Sequence, residues 1–319
     1  MDDETNLEPT IQPDAGSQTQ SSDIVPEGHV FVSEDGTRKV LRRRQPLLEV
    51  EGMSVTFGTH PVLHDINLRV RRGETIAIIG ESGCGKTVLL KTLIGLIWPT
   101  SGDVRFEGKS LSKMSSRELV VARSKYGFVF QQAALFDSMT VGDNVAFAAR
   151  QNKTKMSRQE MKDRVAYLLE EVGLNPDIVG QMPAELSGGM RKRVGFARAL
   201  MMEPELMLYD EPTTGLDPIM SDVINELIIS ARDNHHVTGI LVTHDMKSAR
   251  KVADRVVMLY PHSRLTAGEP QIIFDGSPSQ LDYSPDARVT QFVNGEAGER
   301  VMEMAARHAA GNKSSEGNE

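Results

Sequence analysis

Residues Gly80-Glu81-Ser82-Gly83-Cys84-Gly85-Lys86-Thr87 gather three glycines, a lysine and a threonine into eight positions. Glycines let the backbone curl until successive N–H groups point inward at phosphate oxygens. Lys86 adds positive charge where β- and γ-phosphates would lie, and the Thr87 hydroxyl is suited to ligate Mg²⁺. The apolar run Thr75-Ile76-Ala77-Ile78-Ile79 precedes this segment and Val88-Leu89-Leu90 follows it. That context is a strand before the loop and a helix after it, and a helix opening near Lys86 turns its positive dipole end to the same phosphates. The chemistry expected is nucleotide binding.

Such a site needs a second carboxylate for the metal shell and a group that polarises water. Leu206-Met207-Leu208-Tyr209-Asp210-Glu211 offers both: a buried strand, then Asp210 to reach the metal and Glu211 to act as general base. A further segment, Leu186-Ser187-Gly188-Gly189-Met190, runs into a helix through Arg191 to Leu200. A serine and two glycines at a helix N-terminus form a second phosphate-binding surface. One nucleotide has little use for two such surfaces in one subunit.

The elements that must position these residues read as an α/β sheet. Leu47 to Phe57 and Ile66 to Val70 pattern as antiparallel β. Thr75 to Gly80, Gly127 to Phe130, Leu206 to Asp210 and Ile240 to Thr243 pattern as buried strands between helices. Gln159 to Val172 places Val165, Leu168, Leu169 and Val172 on one helical face, inside a stretch without strand signals. Val256 to Leu259 and Ile272 to Phe274 read as strands around a glycine-containing turn. There is no internal repeat.

Taken in order, these landmarks resemble the nucleotide-binding subunit of an ATP-binding cassette (ABC) ATPase over about residues 47–280. The resemblance implies a P-loop NTPase (RecA-like) core with an antiparallel β subdomain and an inserted helical subdomain at about 132–190. It implies that Phe57 stacks on adenine, that Gln131 lies near Mg²⁺ and water, and that Ser187-Gly188-Gly189 is the signature. Gly215-Leu216-Asp217 would then be the D-loop, and His244 in Thr243-His244-Asp245 the residue facing the γ-phosphate. ATP and Mg²⁺ are the implied ligands, with Thr87, Gln131 and Asp210 around the metal and Glu211, His244 and Gln131 catalytic. In this family the signature of one subunit completes the P-loop site of the other, so a homodimer is implied.

Three less general segments are similar to the MlaF-like ATPases of the Mla/Mce phospholipid transporters. They are Phe130 to Val141 with Asn144-Val145, the Met190 that stands where many cassettes have Gln, and the ending Phe274 to Pro278 with Asp286 to Gly295. Ala287 departs from the proline usual there. This resemblance implies a MlaE-like integral-membrane permease, an MCE-domain lipid-binding protein, and a place on the cytoplasmic face of the inner membrane. A permease helix would enter the groove at about Gln131 to Ala149, for whose residues Leu135, Phe136 and Met139 internal packing is the competing reading. An amino-acid or metabolite importer shares the catalytic motifs without the three segments. A soluble ABC ATPase acting on ribosomes or nucleic acid would carry two cassettes or a long coiled-coil insertion.

The chain has 319 residues, 39% hydrophobic and 25% charged, with net charge −8, which disfavours a nucleic-acid surface over most of the molecule. One cysteine excludes an internal disulfide framework and fits a reducing compartment. No stretch approaches the roughly 18 apolar residues of a membrane span, and the acidic start is unlike an export signal. Residues 1–46 read as a disordered acidic tail and a basic linker with Arg38, Lys39, Arg42, Arg43 and Arg44. Residues 47–282 read as the ATPase domain and 283–319 as a C-terminal extension with a disordered end. His235-His236 diverge on a helix without acidic or cysteine support, so no metal is expected there. Cys84 reads as a small loop residue whose place at a helix N-terminus would lower its pKa and make the thiol reactive unless ATP shields it.

Overall fold

The computed structural model describes residues 30–32, 38–40, 46–152 and 154–296, divided between two units, Met1–Arg42 and Arg43–Glu319. In the first unit Val30–Val32 (β1) pairs antiparallel with Arg38–Val40 (β2). The sequence reading places a linker here; the β-branched and aromatic Val30, Phe31, Val32 and Val40 favour extended backbone instead. The readings on the acidic tail, on Arg42 to Arg44 and on the chain's polar end lie outside the described residues.

Along the second unit, strands Pro46–Phe57 (β3), His60–Arg71 (β4) and Thr75–Ile79 (β5) lead to helix Lys86–Leu93 (α1). Strands Ser101–Phe106 (β6) and Lys109–Ser110 (β7), helix Ser116–Arg123 (α2) and strand Tyr126–Val129 (β8) follow. Helices Val141–Gln151 (α3), Arg158–Glu171 (α4) and Gly188–Leu200 (α5) precede strand Leu206–Asp210 (β9). Helix Pro218–His235 (α6), strand Thr238–Val242 (β10) and helix Met246–Val252 (α7) come next. Strands Arg255–Leu259 (β11) and Ile272–Gly276 (β12) and helix Ala287–Asn294 (α8) complete the described elements.

The central sheet runs β12-β11-β5-β10-β9-β8, parallel except for β12 at its edge. A second, antiparallel sheet runs β4-β3-β6-β7. Side chains on successive strand positions point to opposite faces, and here both faces are covered. Ala77 and Ile79 of β5 pack with Met207 and Tyr209 of β9 and with α3 to α6. Ile76 and Ile78 pack instead with Leu206, Leu208, α1 and the antiparallel sheet. Burial on both faces explains why these strands are continuous apolar runs rather than alternating ones. The result is the expected α/β architecture.

Strand β4 begins six residues before its expected start at Ile66. Polar His60, His64 and Asp65 hide it in the sequence, and register shifts against β3 with Asp65 at φ 46 accommodate them as bulges. More consequential is the direction of β5, β10, β9 and β8. Because they are adjacent and parallel, their C-terminal ends share one edge, where open α/β sheets bind ligands.

Candidate nucleotide-binding site

The loop after β5 turns sharply and leads directly into α1. Gly80 has φ 146, and a Cβ there would lie 2.3 Å from the Leu259 carbonyl oxygen, so only glycine lets the loop lie against β11. Gly85 caps α1 at φ 103. Lys86 is 9% exposed, and its Nζ donates to the carbonyls of Gly80 at 2.7 Å and Glu81 at 3.0 Å. The lysine therefore spans the mouth of its own loop, while Thr87 is exposed.

The loop is also braced from behind. Gln271, 1% exposed and just before β12, donates to the carbonyls of Val62 and Cys84 and accepts from the His64 N–H. Arg264 reaches both Glu81 carboxylate oxygens, at 2.9 and 3.0 Å. Cys84 corrects one expectation: it is 1% exposed, and burial pushes its thiol above the ordinary value by more than Lys86 pulls it down. It is a packed loop residue whose thiolate is disfavoured, because desolvation outweighs the pull of Lys86 and of the backbone hydrogen bonds.

A cleft of about 560 Å³ is lined by Val62, Ser82, Gly83, Gly85, Lys86, Thr87, Val88, Gln131, Glu211 and His244. Apart from Val62 of β4, residues far apart in sequence meet here because they follow the C-terminal ends of the four parallel strands. Asp210 ends β9, where burial, and then the like charge of Glu211, raise its carboxyl above the usual range, against pulls from Lys91, Thr87 and Lys86. Glu211 sits at φ 50, and its Oε2 lies 2.8 Å from His244 Nδ1. Phe57, 47% exposed, is at the tip of the β3–β4 hairpin, which reaches the cleft at Val62.

Gln131 is followed by Ala133 at φ 60 and Ala134 at φ 47, a backbone that L-residues rarely adopt. Their carbonyls accept 2.8 and 2.7 Å bonds from the Arg198 guanidinium of α5, and Gly195 leaves room for the close approach of Ala133. Farther on, Asn144 is fully buried; its side chain accepts from Phe136 N–H and donates to the carbonyls of Phe136, Met139 and Thr140. Leu135 packs on the core, whereas Phe136 is 41% exposed and lies against Phe147.

The signature residues do not line this cleft. Ser187 caps α5 by accepting from Met190 N–H, and Ser187 and Gly188 face outward. Asp217 caps α6 through the N–H groups of Ile219 and Met220, and it too is exposed. Sequence spacing did not single out Gln271, Arg264, Arg198 or Asn144 as braces, since each acts on backbone groups whose position depends on packing. His235 is paired with Glu171, and among the described residues no cluster of three or more potential metal ligands occurs.

The donor set fits the implied ligands. Asp210 beside Glu211 is an acidic pair that a divalent cation would relieve, and Thr87 offers a hydroxyl toward Asp210. Comparison with known proteins agrees with this chemistry. Residues 63–214 match the ABC transporter family model. The MlaF intermembrane phospholipid transport system ATP-binding protein of Haemophilus influenzae is 37% identical over 253 residues, 79% of this chain and 92% of that one. A probable ribonucleotide transport ATP-binding protein, mkl, of Mycobacterium leprae is 38% identical over 248 residues, 78% of this chain and 69% of that one. A dimeric post-hydrolysis structure of the ATP-binding cassette MJ0796 with ADP and Pi superposes with TM-score 0.63 at 29% identity, covering 72% of this chain and 98% of that one. A phosphate loop, an acidic pair and a histidine on one sheet edge, together with these likenesses, show that the chain belongs to the ABC transporter family as an MlaF-like ATP-binding cassette ATPase.

Proposed function

We propose that this ATPase energises intermembrane phospholipid transport as the peripheral subunit of an inner-membrane complex. The observation that carries the reading is the match to the H. influenzae phospholipid-transport ATPase across 92% of that protein's length. Its implied associates are a MlaE-like permease, an MCE-domain protein and a second copy of this chain. Among the described residues no helix is long and apolar enough to cross a membrane, so the permease would carry the lipid path.

In the proposed cycle the Phe57 ring stacks on adenine and the N–H groups of residues 80–87 hold the phosphates. Lys86 exchanges the Gly80 and Glu81 carbonyls for β- and γ-phosphate oxygens. Thr87, Asp210 and Gln131 would hold Mg²⁺, which neutralises phosphate charge. Glu211 accepts a proton from the attacking water as its oxygen bonds to the γ-phosphorus and the bond to the β-phosphate oxygen breaks, leaving ADP. His244 orients Glu211 and then meets the γ-phosphate, and Asp217 faces the second subunit. Ser187, Gly188 and Gly189 of that subunit cover the nucleotide, in keeping with their position away from their own cleft.

Affinity isolation of the chain from solubilised membranes is expected to recover a permease and an MCE-domain protein. Proteoliposomes holding that complex should move a fluorescent phospholipid with ATP, and a Lys86→Ala complex should not. The mycobacterial relatives point to a different cargo, so ribonucleotide uptake is measured alongside. ATP-driven ribonucleotide or amino-acid movement without phospholipid transfer would overturn the lipid reading.

A further inference from the structure

Lys192 is a buried cation that the site described above does not use. It lies in the second turn of α5, is 8% exposed, and its Nζ donates to the carbonyls of Pro212 at 2.7 Å and Thr214 at 2.6 Å. Those carbonyls belong to the loop that joins Glu211 to Gly215-Leu216-Asp217. Removing an ammonium from water costs several kcal/mol unless hydrogen bonds replace the solvent. Burial accordingly pushes the Lys192 pKa down, with the negative charge of Glu211 opposing the shift.

The loop it grips is strained. Glu211 holds φ 50, a conformation that is unfavourable for a non-glycine residue and persists only where surroundings impose it. Several contacts impose it here: Glu211 N–H donates to the Val242 carbonyl, Thr214 N–H donates to the Glu211 carbonyl, Thr214 Oγ1 donates to Glu211 Oε2, His244 Nδ1 lies against that same oxygen, and Lys192 fixes the Pro212 and Thr214 carbonyls. Only the last of these comes from α5. The same helix opens with Ser187-Gly188-Gly189, and Met220 of α6 lies 3.0 Å from where a Gly189 Cβ would be. Signature, lysine, Glu211 loop and the start of α6 are thus packed as one body.

We propose that Lys192 is a positioning residue that locks the Glu211 loop to the signature helix, so that the two nucleotide sites of a dimer respond to each other. The inference rests on the reading in which Glu211 serves its own cleft and Ser187-Gly188-Gly189 the partner's. A signature drawn onto the partner's nucleotide carries α5 with it; through Lys192 the displacement reaches Pro212 and Thr214, and hence the carboxylate of Glu211. ATP in one site then sets the base of the other.

The test compares the full chain with Lys192→Met, Lys192→Gln and Glu211→Gln, measuring fluorescent ATP-analogue affinity, kcat and the Hill coefficient for ATP. Lys192→Met should keep analogue affinity within about twofold and lose roughly tenfold to a hundredfold in kcat, the scale expected when a catalytic group is misplaced by about 1 Å. Its Hill coefficient should fall from about two toward one, the limits set by two coupled and two independent sites. Lys192→Gln, whose amide can satisfy one carbonyl, should be intermediate. Wild-type kcat and Hill coefficient in Lys192→Met overturn the proposal, and so does loss of analogue binding in both lysine variants, which marks a purely structural residue. Undiminished turnover in Glu211→Gln removes instead the reading of Glu211 on which the proposal rests.

Discussion

Asp210 and Glu211 are adjacent in sequence, yet the fold gives them different surroundings. Asp210 closes β9 against α1 and is pushed up by burial and by Glu211, whereas Glu211 turns away at φ 50 toward His244. A carboxylate held above its ordinary pKa favours the protonated form in the folded state. Its contribution to stability is therefore present at low pH and is lost as pH rises through the raised value. Without Mg²⁺, Asp210→Asn should melt higher than the parent at pH 8, with the difference shrinking toward pH 4, as read by thermal denaturation. The same substitution should weaken Mg²⁺-dependent turnover at every pH. In the parent, apparent Mg²⁺ affinity should begin to fall at a higher pH than for an ordinary aspartate. An unchanged melting temperature at pH 8 would show that burial of Asp210 imposes no such penalty. The residue types of this pair were legible in the sequence; the direction of the shift was not, because desolvation depends on what packs overhead.

At the scale of elements, strands buried on both faces were the most legible feature, since two apolar faces leave an uninterrupted run of Ile, Leu, Val and Met. Less was readable where polar residues interrupt the pattern, as in β4, or where Gly102 and Asp103 dilute it, as in β6. The segment after Gln131 is a different case. Its two left-handed alanines have no side-chain means of holding a turn, and the structure supplies external braces in Arg198 and Asn144. Asn144→Ala would take the side-chain partner from the Phe136 N–H and the Met139 carbonyl, while the Phe136 and Thr140 carbonyls keep the N–H groups of Met139 and Asn144; a buried group left without a partner costs about 1–3 kcal/mol. We expect a loss of stability of that order in urea denaturation, with ATP-analogue binding retained because Asn144 does not line the cleft. Destabilisation below about 0.5 kcal/mol, the range of ordinary surface substitutions, would mean that the loop holds itself.

At the scale of the whole molecule, one cleft contains the P-loop, Gln131, Glu211 and His244, while the signature and Asp217 stand exposed elsewhere. In the proposed dimer a second copy would use both surfaces. Light scattering on Glu211→Gln should show a monomer that becomes a dimer on adding ATP and Mg²⁺, and adding Ser187→Arg should abolish the dimer while leaving nucleotide binding intact. An ATP-independent monomer would count against the shared site.

The sequence by itself determined the P-loop, the acidic pair, the signature and their order, because each is a run of a few neighbouring residues whose chemistry is local. It also determined the parallel strands, because burial on both faces leaves a compositional trace. Only the tertiary structure decided that Cys84 is buried with its thiol pushed above the ordinary value, that Gln271 and Arg264 brace the loop, and that Lys192 ties the Glu211 loop to α5. Those outcomes depend on desolvation and on carbonyl groups brought together by packing from residues 20 to nearly 190 positions apart, which no spacing along the chain encodes.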